Sequence, residues 1–451
     1  MSKPSLSFTP GRKKKGGLRQ AQPEPIWKRA ITQASPVPEP LRRDIGFLGS
    51  AFLAFNGLVG AGIFVLPGTL HDRFGDFSIW LFPAFGLLAL AIAWPFARTA
   101  GHFGQSGGPI VYAATFGRVP SFLTGWVYYV ARAAAFAANL TVLATYLATL
   151  SPAFATPAAR AAIILATLTL IAVVNVAGVR RAIRLIDLLT VLKALPLIVF
   201  AIAGLVLFGL PSPIAPMPPE PELEAAALLI LYAFVGFENS TVAAGETADA
   251  RRTVPRAMVL TIIGTAVLYT LIQLAYVATM GDRPGGEAPL VGFGQALFGP
   301  VGALILTLGA VASLLGNVSG GITSTARATY AMAREDMLPA WFGRVDARHA
   351  TPAPSILFLS LLVAALALSG SFVWLAVVST LARMFVYAIG IAALPRLERR
   401  AWLWAPVALG LALCGWAASQ SSAEAWRTLA VLAGSGVILY GFQAWRRPRS
   451  G

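Results

Sequence analysis

The chain has 451 residues, of which 57% are hydrophobic and only 12% charged. Soluble globular domains carry roughly a quarter charged residues, so that class is excluded and a polytopic membrane protein is indicated. The net charge of +16 would suit a nucleic-acid partner if the basic residues formed one face of a soluble domain. They sit instead in short stretches between apolar segments, so no nucleic acid is expected. The single cysteine, Cys414, lies in an apolar segment, and His71, His102 and His349 fall in predicted loops. A disulfide, a Cys/His metal site and a membrane histidine relay therefore have no support, and neither metal nor cofactor is expected.

Residues 1–43 are polar, Pro-rich and basic, with the run Lys13-Lys14-Lys15, and lack the apolar core of a signal peptide. They read as a disordered cytoplasmic tail. From residue 45 onward, twelve apolar segments are long enough to span about 30 Å of hydrocarbon. They lie near 45–70, 77–98, 120–150, 157–178, 183–209, 223–247, 255–280, 291–332, 353–369, 371–395, 401–419 and 425–445. The eighth exceeds one straight span and is expected to run on into the cytoplasm. Only Ser369-Gly370-Ser371 separates the ninth from the tenth.

The first segment contains Gly57-Leu58-Val59-Gly60-Ala61-Gly62-Ile63-Phe64-Val65-Leu66-Pro67-Gly68. Glycines followed by proline suit either a close-packing face of small residues or a helix broken at mid-depth. An unpaired backbone group in hydrocarbon costs several kcal/mol, so a break survives only inside protein or beside a water-filled cavity. Its two half-helix ends would hold a zwitterion without a charged side chain.

With the N-terminus inside, 28 of the 35 basic residues fall on the cytoplasmic side; only Arg73, Arg160, Arg283 and Arg427 lie outside, and Arg132, Lys193 and Arg383 lie within spans. That asymmetry predicts cytoplasmic termini at both ends. The expected location is a bacterial plasma (inner) membrane.

A second break is expected in the sixth segment, where Gly236-Phe237-Glu238-Asn239-Ser240-Thr241 interrupts an apolar run. A carboxylate at the bilayer centre is expensive, so Glu238 should face a cavity or a partner. Breaks in the first and sixth segments match two five-helix repeats of opposite topology, the plan of a secondary transporter with its site between them. The boundaries are 44–210 and 211–396 for the repeats and 397–451 for two further helices and a short tail.

The chain resembles the amino acid-polyamine-organocation superfamily of permeases from about residue 45 to 400. The resemblance is carried by Gly60-Ala61-Gly62-Ile63-Phe64 with Pro67-Gly68, by Gly107-Gly108-Pro109-Ile110-Val111-Tyr112 with Gly125-Trp126, and by Asn175-Val176-Ala177-Gly178 leading to Lys193. It continues through Gly236-Phe237-Glu238, Gly245-Glu246 and Pro255-Arg256-Ala257, and ends with Tyr330 to Pro339. It implies an all-α, five-plus-five inverted-repeat (LeuT-like) fold and transport of amino acids or related amines by alternating access. It also implies that the substrate carboxylate sits on N–H groups near Gly60, Ala61 and Gly62, and the ammonium on carbonyls near Leu58, Tyr232 and Val235. Ile63, Gly236 and Glu238 complete the expected site. Ala61 stands where many relatives have serine, and Tyr232 where arginine-carrying relatives have a gating tryptophan; with no tryptophan in the eighth span, a stacked guanidinium substrate is disfavoured.

Five other polar residues remain. Arg132 and Arg383, near mid-depth, are either structural arginines satisfied by helix-end carbonyls or partners of Glu238 or of a substrate carboxylate. Asp187 and Glu246 read as gate or surface ion-pair residues. The cations at the midplane outnumber Glu238, which points to neutral or acidic amino acids as substrates, and Tyr232 is expected to act as an aromatic lid. Lys193 lies about ten residues into the fifth span, roughly 15 Å deep and beyond snorkelling reach. It is either a structural cation tied to the broken first helix or a group that titrates near neutral pH and couples transport to protons. The resemblance implies that a lysine here replaces sodium. Protons and membrane lipid are the other expected partners. Import, export, exchange and a non-transporting sensor, and the oligomeric state, stay open. No intramembrane nucleophile or acid/base cluster suggests an enzyme.

Overall fold

The computed structural model describes residues 43–178, 181–346, 348–349 and 351–445, and the side chains of 181–193 lie outside that description. Each of the twelve apolar segments carries helix. The first is split into α1 (Phe47–Leu58) and α2 (Ala61–Phe74). There follow α3 (Leu81–Ala100), α4 (Arg118–Ala148), α5 (Pro157–Val176) and α6 (Arg181–Phe208). The sixth segment is α7 (Glu220–Tyr232) and the single turn α8 (Asn239–Val242). Then come α9 (Ala250–Met280), α10 (Pro289–Arg334), α11 (Ala353–Ser369), α12 (Phe372–Leu397), α13 (Trp404–Ser419) and α14 (Ala423–Trp445). Among the described residues, eight helical stretches are long and apolar enough to cross a bilayer, one of them running continuously over 61–100 through α2 and α3.

Helix starts follow local chemistry. Thr156 accepts a hydrogen bond from the Ala159 N–H (3.2 Å) ahead of Pro157, whose missing N–H is harmless in the first turn of α5. Ser371 caps α12 through the Trp374 N–H (3.3 Å), so Gly370 and Ser371 alone suffice to reverse the chain between α11 and α12. The long eighth segment is divided rather than straight: Phe298 and Gly299 leave helical geometry, with Gly299 at φ 61°, immediately before Pro300. His71, expected in a loop, occupies the last turn of α2 and bonds through Nε2 to the Gly281 carbonyl (2.6 Å).

α4 is the axis of the bundle, packed on α10, α11, α12 and α2, and most of it is buried. Its sequence explains the position. Ala131, Ala133, Ala134, Ala137 and Ala138 are all fully buried, and such small side chains let neighbouring backbones approach where lipid supplies no hydrophobic drive. The outermost helix, α14, keeps most of its surface exposed. At the end of the bundle richest in arginine, Ile45 pairs in both directions with the chain after α8, its N–H to the Glu246 carbonyl (3.1 Å) and its carbonyl to the Ala248 N–H (2.9 Å). Glu246 makes no ion pair among the described residues. Asp187 lies outside the described side chains.

Candidate functional site

The helix break falls at Val59-Gly60, between α1 and α2, whereas Pro67 is accommodated inside α2. The backbone groups it frees are met by side chains from three other helices. The Ala61 N–H donates to Asn139 Oδ1 of α4 (2.8 Å), and Asn139 Nδ2 donates to Asn317 Oδ1 of α10 (2.8 Å). Asn317 Nδ2 reaches the Asn56 carbonyl (2.5 Å), and the Tyr269 hydroxyl of α9 donates to the Leu58 carbonyl (3.1 Å). A break costing several kcal/mol per orphaned group is thus held open by a continuous amide chain.

The second break runs from Ala233 to Glu238, between α7 and α8, and turns at Gly236, whose φ of 116° suits glycine alone. The two breaks touch. A Cβ on Gly57 would overlap the Gly236 carbonyl, and one on Gly236 would overlap the carbonyl of Gly57. The carbonyls of Tyr232 and Val235 accept no hydrogen bond among the described residues, leaving two acceptors at the negative end of α7.

Glu238 is fully buried and its carboxylate accepts three hydrogen bonds. Oε1 accepts from Arg383 Nε (3.1 Å); Oε2 accepts from the Tyr387 hydroxyl (2.7 Å) and from the Gly236 N–H (2.9 Å). Arg383 also bonds Ser379 Oγ, which in turn donates to the Ala131 carbonyl (2.8 Å). Arg132 is met by neutral groups: Nη1 donates to Asn239 Oδ1 (2.7 Å), Nε to Thr325 Oγ1 (3.3 Å), and the guanidinium lies 4.8 Å from the centre of the Phe136 ring. Among the described residues, neither arginine bonds a loose helix-end carbonyl.

These groups enclose a polar cavity of about 20 Å³ lined by Gly57, Leu58, Gly60, Arg132, Ala135, Asn139, Tyr232, Val235, Asn317 and Arg383. It has room for about one water, so an amino acid enters only if the walls part. Ala61, Gly62, Ile63, Gly236 and Glu238 are buried around this cavity without lining it. Tyr232 lines the cavity, and its ring packs edge-on against Phe372 (5.7 Å). A larger groove of about 480 Å³ lies between α5 and α11, but it is open and almost wholly apolar, with Leu165, Val173, Leu357 and Leu361 exposed. That chemistry suits hydrocarbon, not an amino acid. Lys193 lies on α6, and its side chain is outside the described residues.

Asn139, Asn317, Tyr269 and Tyr387 were not singled out by sequence reasoning. Two amides in otherwise apolar spans were the available signal, because intramembrane polar groups need partners. At the arginine-rich end, Glu398 accepts two bonds from Arg98 (2.7 and 2.9 Å) and also faces Arg400 (3.0 Å) and His102 (3.5 Å). The bidentate bond from Arg98 holds its carboxyl below the ordinary value.

A helical membrane protein with two broken helices meeting at a buried polar cavity belongs to the structural class of solute carriers. Residues 45–418 match the amino acid permease family, and the chain belongs to it. An uncharacterized transporter of Mycobacterium bovis is 29% identical over 73% of this chain and 75% of its own length. The large neutral amino acids transporter small subunit 2 of Mus musculus is 28% identical over 71% of this chain and 64% of its own. The Asc-type amino acid transporter 1 of Homo sapiens is 27% identical over 70% and 64%.

Proposed function

We propose that this protein is a secondary active transporter of amino acids that works by alternating access. The observation that carries the reading is the meeting of the two helix breaks, Gly57 against Gly236, at a closed polar cavity in a chain of the permease family. The proposed frame is twelve crossings, the first ten forming two inverted five-helix repeats, with both termini on the arginine-rich, cytoplasmic side of a bacterial plasma membrane.

In this reading the α-ammonium rests on the free carbonyls of Tyr232 and Val235, and the α-carboxylate on the first-turn N–H groups of α2 at Ala61 and Gly62. Asn139 Oδ1 then holds the place of a carboxylate oxygen, so binding exchanges one acceptor for another at the Ala61 N–H. Parting of α2 and α8 from α4 and α10 opens the cavity to one side at a time. Lys193, deep in the fifth span, is the proposed proton carrier and makes sodium unnecessary.

Counterflow of labelled amino acid into loaded proteoliposomes tests transport, since a sensor would bind without translocating. Lys193→Ala separates the coupling role: it is expected to abolish uptake driven by a pH gradient. Unchanged pH-driven accumulation by that variant, or a sodium requirement in the wild type, would remove the lysine from the mechanism.

A further inference from the structure

The two arginines of the cavity wall differ in a way that bears on which amino acid is carried. Arg383 is committed, since Glu238 faces it at 3.1 Å and both side chains are almost wholly buried. Arg132 is equally buried, at 3% exposure, yet its partners are an amide oxygen, a hydroxyl and a ring face. Among the described residues no carboxylate pairs with it, so two guanidiniums of the wall face one acid. A guanidinium does not deprotonate and offers five N–H donors, of which these contacts occupy two. A desolvated cation without a counterion is costly, and a ligand that supplies the missing charge gains what the free protein lacks.

We propose that Arg132 receives a side-chain carboxylate of the substrate, so that the site selects acidic amino acids. This rests on the reading of the chain as an amino acid transporter. The zwitterionic end of any amino acid is matched by the helix ends, its ammonium by the Tyr232 and Val235 carbonyls and its carboxylate by the start of α2. That accounting leaves a neutral substrate with Arg132 still unmatched. A lysine or arginine substrate adds a third cation. An aspartate or glutamate brings one negative charge to one spare positive charge, and its planar carboxylate fits the fork of a guanidinium. Selection of this kind would set the chain apart from the relative named for large neutral amino acids.

The decisive comparison is between isosteres: glutamate against glutamine and aspartate against asparagine, in counterflow with the full-length wild-type protein in proteoliposomes. The acids are expected to compete better than their amides by about tenfold or more, because a site built for a polar group rejects the analogue lacking it. Arg132→Gln should erase that preference, so that glutamate competes no better than glutamine, and Arg132→Lys should keep part of it. Amides that compete as well as acids, or an Arg132→Gln protein that still prefers glutamate, would overturn the assignment. Should the wild type exchange no amino acid at all, the transport reading fails instead. Thermal stabilisation of the purified wild type by glutamate against glutamine then decides the charge assignment by itself, and it does so equally where the variant does not fold.

Discussion

Removal of Arg383 gives the sharpest test of the buried ion pair. Its Nε lies 3.1 Å from Glu238 Oε1, and the side chains are 2% and 0% exposed. Unit charges at that separation interact by about 5 kcal/mol at an effective dielectric of ~20. Arg383→Met keeps the side-chain volume but leaves Glu238 buried with only Tyr387 and the Gly236 N–H as partners. An uncompensated buried charge of this kind destabilises by about 3–5 kcal/mol, whereas replacing both partners with neutral groups is often harmless. Heat denaturation of the detergent-purified protein should therefore show a large loss for Arg383→Met and substantial recovery in the Glu238→Gln/Arg383→Met double variant. Wild-type stability in the single variant, or a double variant no better than the single, would refute the pairing as the source of stability.

Three further outcomes follow from the same geometry. Gly57→Ala must push the two breaks apart, and a ~1 Å misplacement costs about 10²-fold in rate; Gly415→Ala, where a Cβ meets nothing within 4 Å, should transport like wild type. If Tyr232 closes over the substrate with its ring, Tyr232→Ala loses most uptake at normal membrane insertion while Tyr232→Phe stays close to wild type, and full uptake by the alanine variant contradicts the lid. The Glu398 carboxyl is held below its ordinary value, so its stabilising bonds to Arg98 are fully present above pH ~4.3 and are lost as pH falls through the lowered value. Thermal midpoints of wild type and Glu398→Gln should accordingly differ at pH 7 and converge in strong acid; a gap that persists there speaks against the assignment.

The sequence by itself determined that this is a helical membrane protein, where its helices run and where they break. Each of those properties is a local requirement. Hydrocarbon demands about 20 apolar residues per crossing, and irregular backbone survives at membrane depth only where protein or a cavity surrounds it, so a glycine-rich run inside an apolar segment marks a candidate break. The breaks at Val59-Gly60 and near Gly236 were legible for that reason. Which distant groups repair a break is not a local property. Asn139 and Asn317 look like isolated amides in α4 and α10, and Tyr387 like one more aromatic in α12. Only packing of those helices brings them onto the Ala61 N–H, the Asn56 carbonyl and the Glu238 carboxylate. The two arginines were likewise equivalent by depth in the sequence. The tertiary structure separated them, because α12 faces the carboxylate at the turn of the second break, whereas α4 meets the amide one residue further along, at Asn239, and so leaves Arg132 without an acid among the described residues.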